Sequence, residues 1–565
     1  MLNTRLPCMG MFLMVVAGIF WTQTVESMNV TTGSKVPRWK EDEIRGICYS
    51  PVPDHVIPSQ TVWLYDSDMF NTDFQALWGI DTRTPGVVSR DDLRYIKEAG
   101  FNLLHVYDWN PILRDHIPFL DYCEELGLGV FVPFSNWFLT SAWANHTAEI
   151  EKIVAGVTKD GEIHPAVFGW IVGNEYDETA ALTPIDHVVD MLMDVVALDP
   201  DPENKRPFTI PSSTQAGYND NIHPGLGQIT EMREALLARA PDVYYNRFIN
   251  AINPFMPFTP GMVDLILEPY AALYAGWGEA PLPLMFTETG LSQKDIDETG
   301  KYGPEGGDLG PWGMADFEAE IATGFLGLMR DESLPSVANA SAANFIGYCF
   351  FEYTQEVWKG GGGVDMYYGL HQLGDNISPV LPTQVSKPFG CSTLPGQISK
   401  DSTYEVNALD PVPAWKAIAA LQTNAELYRL YAANVSKVEH EDLVINCTMG
   451  EWKPKGDCEF YDYENSCKTY QVEVRSVARQ ANMHGASCPT ALSRLVADCP
   501  APVSNCALRA WDVTFPELRR YAPGVIAAFV AAGLIIFLII KFASGRRGGR
   551  SSGALVEPRG NYGAV

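Results

Sequence analysis

The chain has 565 residues, with 40 lysines and arginines against 69 aspartates and glutamates, a formal net charge of -29. The basic residues form no clustered stripe before Lys541, which argues against a nucleic-acid or other polyanionic partner. A neutral polymer such as a glucan is compatible with that acidity, although acidity alone does not indicate one.

Arg5 followed by the apolar stretch Met9 to Trp21 has the layout of a secretory signal peptide, expected over 1–27. From Ile44 to about Leu370, short apolar runs alternate with longer amphipathic segments. That pattern predicts an α/β chain folded as a (β/α)8 TIM barrel, with the catalytic domain over 40–425. The expected strands are Ile44 to Tyr49, Asn102 to Tyr107, Gly129 to Phe134, Val167 to Val172, Phe208 to Ile210, a sixth within Val243 to Ile252, Leu282 to Phe286, and Phe345 to Phe351. Arg90 to Ala99 has helical apolar spacing and ends at Gly100, a plausible C′ residue. A doubly wound sheet is the main rival, but no glycine-rich phosphate loop follows the first strand.

Beyond the barrel, Asp410 to Pro413 predicts a turn leading into a capping helix from Ala414. Residues 426–515 hold six clustered cysteines, Cys447, Cys458, Cys467, Cys488, Cys499 and Cys506, and read as a disulfide-held module or a spacer. With Cys48, Cys123, Cys349 and Cys391 they form an even set expected to pair in an oxidising compartment. No metal is expected, since paired short cysteine spacings and histidines are lacking. Glycosylation triplets occur at Asn29, Asn145, Asn339, Asn376, Asn434 and Asn446.

The run Val525 to Ile540 predicts a single transmembrane helix over 522–543, with Lys541, Arg546, Arg547 and Arg550 as its cytoplasmic flank and 544–565 as the tail. The expectation is a single-pass type I protein of the plasma membrane, with its catalytic domain extracellular and the membrane contacted through the C-terminal helix.

Glu175, after Gly173-Asn174, and Glu288, within Phe286-Thr287-Glu288-Thr289-Gly290, each follow or end an apolar run that reads as a buried parallel strand. A barrel gathers its catalytic groups at that end of its strands. A lone glutamate there is ordinarily a helix cap or a surface ion pair, but two together suggest a retaining glycosidase. Glu268 is a rival nucleophile that lacks the following Thr-Gly ending. Tyr107, Trp109, Trp137, Tyr353 and Trp358 lie at or after strand ends, where aromatic rings suit sugar faces. Any one of them is more often packing than binding.

Arg94 to Asn102 leading into Val106-Tyr107, then Gly173-Asn174-Glu175, Phe286 to Gly290, Phe351 to Glu356 and Tyr368-Gly369-Leu370 resemble the cell-wall β-1,3-glucanosyltransferases of glycoside hydrolase family 72. The resemblance implies Glu175 as acid/base and Glu288 as nucleophile, with Tyr107, Asn174 and Tyr353 at the substrate. The family tends to have Asn-x-Tyr after its sixth strand. Here Asn246-Arg247-Phe248 stands in that place, making Asn246 a substrate-binding candidate that lacks the phenol. Thr287-Glu288-Thr289 replaces the commoner Ser-Glu-Tyr.

The function expected is a retaining β-glucan-active glycosidase or transglycosylase that remodels cell-wall glucan, a 1,3-β-glucanosyltransferase, without cofactor or metal. The alternatives are an endo-β-glucanase or other polysaccharide hydrolase, including one acting on mannan, and a non-catalytic carbohydrate-binding surface protein.

Overall fold

The computed structural model describes residues 35–50, 75–81, 87–107, 115–139, 146–179, 184–213, 225–293, 310–330, 341–356, 367–378, 381–382, 403–434, 448–449, 451, 453–461, 468–474, 477–479 and 493–497. Eight parallel strands close into a barrel: β1 Ile44–Cys48, β2 Leu103–His105, β3 Gly129–Phe134, β4 Val167–Val172, β5 Phe208–Ser213, β6 Phe248–Asn253, β7 Leu284–Thr289 and β8 Phe345–Phe350. Each pairs with the next in sequence, and β8 pairs back onto β1. The TIM barrel expected from the alternation is therefore present. The sixth strand starts only at Phe248, because Pro241–Arg247 is helical.

Every residue of β3 and of β4 is buried, as the continuous apolar runs require of strands filled inside and covered outside. The interior is packed by Ile44, Leu103, Phe131, Phe168, Ile171, Ile249 and Met285, with Cys48, Cys349 and Phe351 completing it. Full burial of one large apolar side chain contributes roughly 1.5–3 kcal/mol, so the barrel is a packed core and not a pore. Close approach at the β1–β8 seam needs two glycines. A Cβ on Gly46 would lie 2.8 Å from the Tyr348 carbonyl oxygen, and one on Gly347 would lie 2.7 Å from that of Ile44.

The helix Asp92–Glu98 ends where expected, with Gly100 at φ 95. Pro413–Thr423 forms the expected helix after the turn. Trp415 stacks on Tyr95 at 5.4 Å and on Phe101 at 5.5 Å, and its Nε1 donates to the Tyr95 hydroxyl at 3.2 Å. Chain far beyond β8 thus packs against the helix Asp92–Glu98.

Cys48, Cys123 and Cys349 are free thiols, all buried, which corrects the disulfide expectation for the barrel. Cys123 and Cys349 serve as small apolar side chains in the core, whereas the Cys48 thiol also donates to the Thr287 carbonyl at 3.6 Å. Cys391 and, of the clustered six, all but Cys458 lie outside the described residues, as do the expected signal peptide, transmembrane helix and tail. Among the described residues, no helix is long and apolar enough to cross a membrane. The chain divides into two compact units, Met1–Lys455 with Val472–Leu495, and Gly456–Gln471 with Val496–Val565. The barrel belongs to the first.

Candidate active site

The site lies where β4, β6 and β7 end. Beyond β4 the chain turns sharply through Gly173 at φ 71 and Glu175 at φ 47, both left-handed. That region is costly for a glutamate and is found where surrounding structure holds it in place. The clamp is Asn136: its Nδ2 donates to the Asn174 carbonyl at 2.6 Å, and its Oδ1 accepts the Asn174 amide at 2.7 Å. A side chain at position 173 would meet Leu139 Cδ1 at 2.5 Å.

With its backbone fixed, Asn174 extends its amide across the barrel mouth and donates from Nδ2 to Glu288 Oε1 at 2.8 Å. Glu288 is 5% exposed. Asn253, the last residue of β6, donates from its own Nδ2 to Asn174 Oδ1 at 3.0 Å and to Glu175 Oε1 at 3.2 Å. Its Oδ1 accepts the Thr287 hydroxyl at 2.7 Å. Two amides therefore tie the glutamates of β4 and β7 into one network, with an amide N–H on each carboxyl.

The residue before the nucleophile candidate is held from below. His105 Nδ1 lies 2.8 Å from the Thr287 carbonyl and must donate to it. Cys48 Sγ approaches the same oxygen at 3.6 Å. Burial lowers His105 to about 4, so it is neutral. Burial, and then the charge of Glu288, push the Cys48 thiol well up, so it stays protonated. Tyr107 is raised by burial and then by Cys48 and Glu288. Its ring lies 4.6 Å from that of His105.

Glu352 and Glu356, 2% and 3% exposed, lie in this region too: Glu352 acts on Cys48 and Glu356 on Tyr107. Phe255, Phe351 and Tyr368 form an aromatic triangle with centroids 5.7, 5.5 and 5.1 Å apart. Tyr107 meets Phe351 edge-on at 6.4 Å. Of these, Tyr107, Phe255 and Tyr368 are partly exposed.

Of the sequence-predicted residues, Glu175, Glu288, Asn174 and Tyr107 come together. Asn246 does not. It sits on the helix before β6, at the opposite end of that strand, where its Nδ2 donates to the Asp242 carbonyl at 2.9 Å and its carbonyl accepts Lys40 Nζ at 3.0 Å. Asn253 occupies the strand end that Asn246 was expected to hold, and Asn253-Pro254-Phe255 carried the readable signal of an asparagine two before an aromatic residue.

Tyr353 is fully buried and so is packing, not a sugar platform. Its hydroxyl donates to Asp92 Oδ1 at 3.3 Å, and its ring lies 4.6 Å from His371 and 5.6 Å from Trp415. Glu268 begins the helix Glu268–Trp277 and is not at a strand end. Trp109 and Trp358 lie outside the described residues.

Asp121, Glu124 and His164 form a cluster whose ligand atoms lie within 4.8 Å of one another. His164 Nδ1 accepts the Ala166 amide at 3.1 Å, which puts the ring proton on Nε2, facing Asp121 Oδ1 at 2.9 Å. Lys159 binds the same carboxylate. A metal at Nε2 would have to displace that proton and meet the lysine charge, so the cluster reads as an ion-pair network.

No family model matches the sequence, and no curated protein matches it. Solved structures similar to the chain include a calcium-binding mutant of Bacteroides uniformis beta-glucuronidase 2, at 10% identity and TM-score 0.39, covering 82% of this chain and 42% of that one. Fungal beta-1,4-galactanases match at 13% identity and TM-score 0.34, covering 50% of this chain and 86% of theirs. A beta-galacturonidase from Eisenbergiella tayi matches at 15% identity and TM-score 0.34, covering 69% of this chain and 51% of that one. The chain thus spans less than half the length of the first and about half that of the last.

Proposed function

We propose that the barrel is a retaining glycosidase acting on β-glucan, in which Glu288 is the nucleophile and Glu175 the acid/base, and that it transfers glucan chains as a 1,3-β-glucanosyltransferase. The observation that carries the reading is the amide network joining these two carboxylates at the C-terminal mouth of the barrel. Glu288 attacks the anomeric carbon while Glu175 gives its proton to the departing sugar oxygen, leaving a glycosyl ester on Glu288. Glu175, now ionised, takes the proton from the incoming hydroxyl as that oxygen displaces the ester.

Asn174, donating to Glu288, keeps the attacking carboxylate oriented until the bond forms. The partly exposed side chains of Phe255, Tyr107 and Tyr368 supply apolar surface for sugar rings. In this reading the chain is anchored by its C-terminal helix as a type I plasma-membrane protein, with the barrel outside facing the glucan.

The test is incubation of the purified protein with a reduced laminarin oligosaccharide, following product masses over time. Products longer than the starting chain support transfer on β-1,3-glucan. Shorter products alone would mean a hydrolase, and no change would direct the reading to another glycan or to a binding-only barrel.

A further inference from the structure

The network has a direction, and it closes on itself. The Thr287 hydroxyl donates to Asn253 Oδ1, Asn253 Nδ2 donates to Asn174 Oδ1, and Asn174 Nδ2 donates to Glu288, the residue next to Thr287. An amide can face a carboxylate through its N–H or through its oxygen. Only the N–H suits an ionised carboxylate, because two oxygens facing each other repel unless one carries a proton. If Asn253 turned over, Asn174 would have to follow, and the Glu288 carboxylate would then meet a carbonyl oxygen in place of an N–H.

Resting on the retaining-glycosidase reading, we infer that the Thr287 hydroxyl is a positioning group that fixes the direction of this relay, and with it the orientation of the amides that face Glu288 and Glu175. Thr287 is suited to the task because its own backbone is pinned. Its carbonyl takes His105 Nδ1–H at 2.8 Å and the Cys48 thiol at 3.6 Å, and the residue is wholly buried. Asn253 is 1% exposed, so water does not readily replace the hydroxyl.

Among the described residues, the other titratable groups in this region include Cys48 on β1, Tyr107 after β2 and Cys349 on β8, all kept protonated by burial, neutral His105 on β2, and Glu352 and Glu356. The relay's direction follows from the Thr287 hydroxyl that donates at one end and the Glu288 carboxylate that accepts at the other. The residue type at this position thus matters for its hydroxyl and not for its methyl group.

The experiment compares wild type, Thr287→Val, Thr287→Ser and Glu288→Gln on one laminarin oligosaccharide, measuring kcat and KM across pH 4 to 8, with melting curves as a check on folding. Thr287→Val is isosteric and should lower kcat about tenfold or more, leave KM within about twofold, and displace the acidic limb of the pH profile upward, since a carboxylate that loses its amide N–H is protonated more readily. Thr287→Ser should restore both kcat and profile. A Thr287→Val protein that melts like wild type and keeps its kcat and pH profile would overturn the inference, as would Thr287→Ser behaving like the valine variant. Should Thr287→Val fail to fold, the serine variant and the profile of Asn253→Asp decide: the inference requires serine to match wild type and Asn253→Asp, which puts a carboxylate against Asn174 Oδ1, to shift the profile. If Glu288→Gln turns over like wild type, the site reading itself fails, independently of the relay.

Discussion

Asn253 Nδ2 lies 3.2 Å from Glu175 Oε1, although 78 residues separate them, and the same nitrogen reaches Asn174 Oδ1 at 3.0 Å. One amide at the end of β6 therefore orients both residues that β4 delivers to the barrel mouth.

Removing it should be costly. Asn253→Ala takes an N–H from Glu175 and leaves Asn174 Oδ1 and the Thr287 hydroxyl without their partner, so kcat should fall about 10- to 100-fold. Asn246→Ala, at the far end of the strand, should leave kcat and KM within about twofold. Equal losses in both variants on oligosaccharide turnover would contradict the placement.

Phe255 is a separate case, because its effect should be on binding. It adjoins Phe351 and Tyr368 and is partly exposed. Loss of an aromatic stacking contact worth about 0.5–1.5 kcal/mol should raise KM about 2- to 12-fold in Phe255→Ala. An unchanged KM for oligosaccharides would remove the triangle from the cleft.

Tyr353 should behave as a core residue. Tyr353→Phe deletes one hydrogen bond to Asp92, costing about 1 kcal/mol of stability with KM unchanged. Asp92 also takes Arg90 Nε and Nη2 at 2.7 Å each, both partners fully buried. Asp92→Ala should therefore cost about 3–5 kcal/mol by stranding the guanidinium charge. Denaturant unfolding of both variants checks the order of the two losses.

The pH dependence of stability should carry the mark of Glu318. This fully buried carboxyl accepts the Leu291 amide at 2.7 Å, just beyond the nucleophile candidate, and burial raises it from 4.5 to about 8. A raised acid favours folding while it is protonated in both states. Its contribution is complete below about 4.5, the unfolded value, and is lost progressively as pH rises toward about 8. Glu318→Gln keeps the acceptor for Leu291 and removes the titration, so its Tm should exceed that of wild type by a margin that widens from pH 5 to pH 8. A constant or shrinking margin would contradict the assignment.

The parts of the fold legible in the sequence were those whose physics is local. β3 and β4 are buried on both faces, so Gly129 to Phe134 and Val167 to Val172 announced themselves as unbroken apolar runs. Glu175 and Glu288 were legible because they sit at the ends of such runs. β6 was blurred because it contains Asn250 and Asn253, and because the aromatic helix Pro241–Arg247 runs directly into it. Seven residues of slippage there moved the expected asparagine from one end of the barrel to the other. Tyr353 was misread because its burial depends on Asp92, His371 and Trp415, remote in sequence. The barrel thiols were misread because compartment chemistry was applied to cysteines that the closed core buries as free thiols.

The most direct measurement of the central claim is trapping of the covalent intermediate. The protein would be incubated with a 2-deoxy-2-fluoro β-glucoside carrying a dinitrophenolate leaving group, and the modified peptide mapped by mass spectrometry. A single glycosyl adduct on Glu288, absent in Glu288→Gln and still formed in Glu175→Gln because this leaving group needs no proton, is the predicted result. An adduct on Glu268 or Glu352, or no adduct under conditions in which the protein turns over laminarin oligosaccharides, would contradict it.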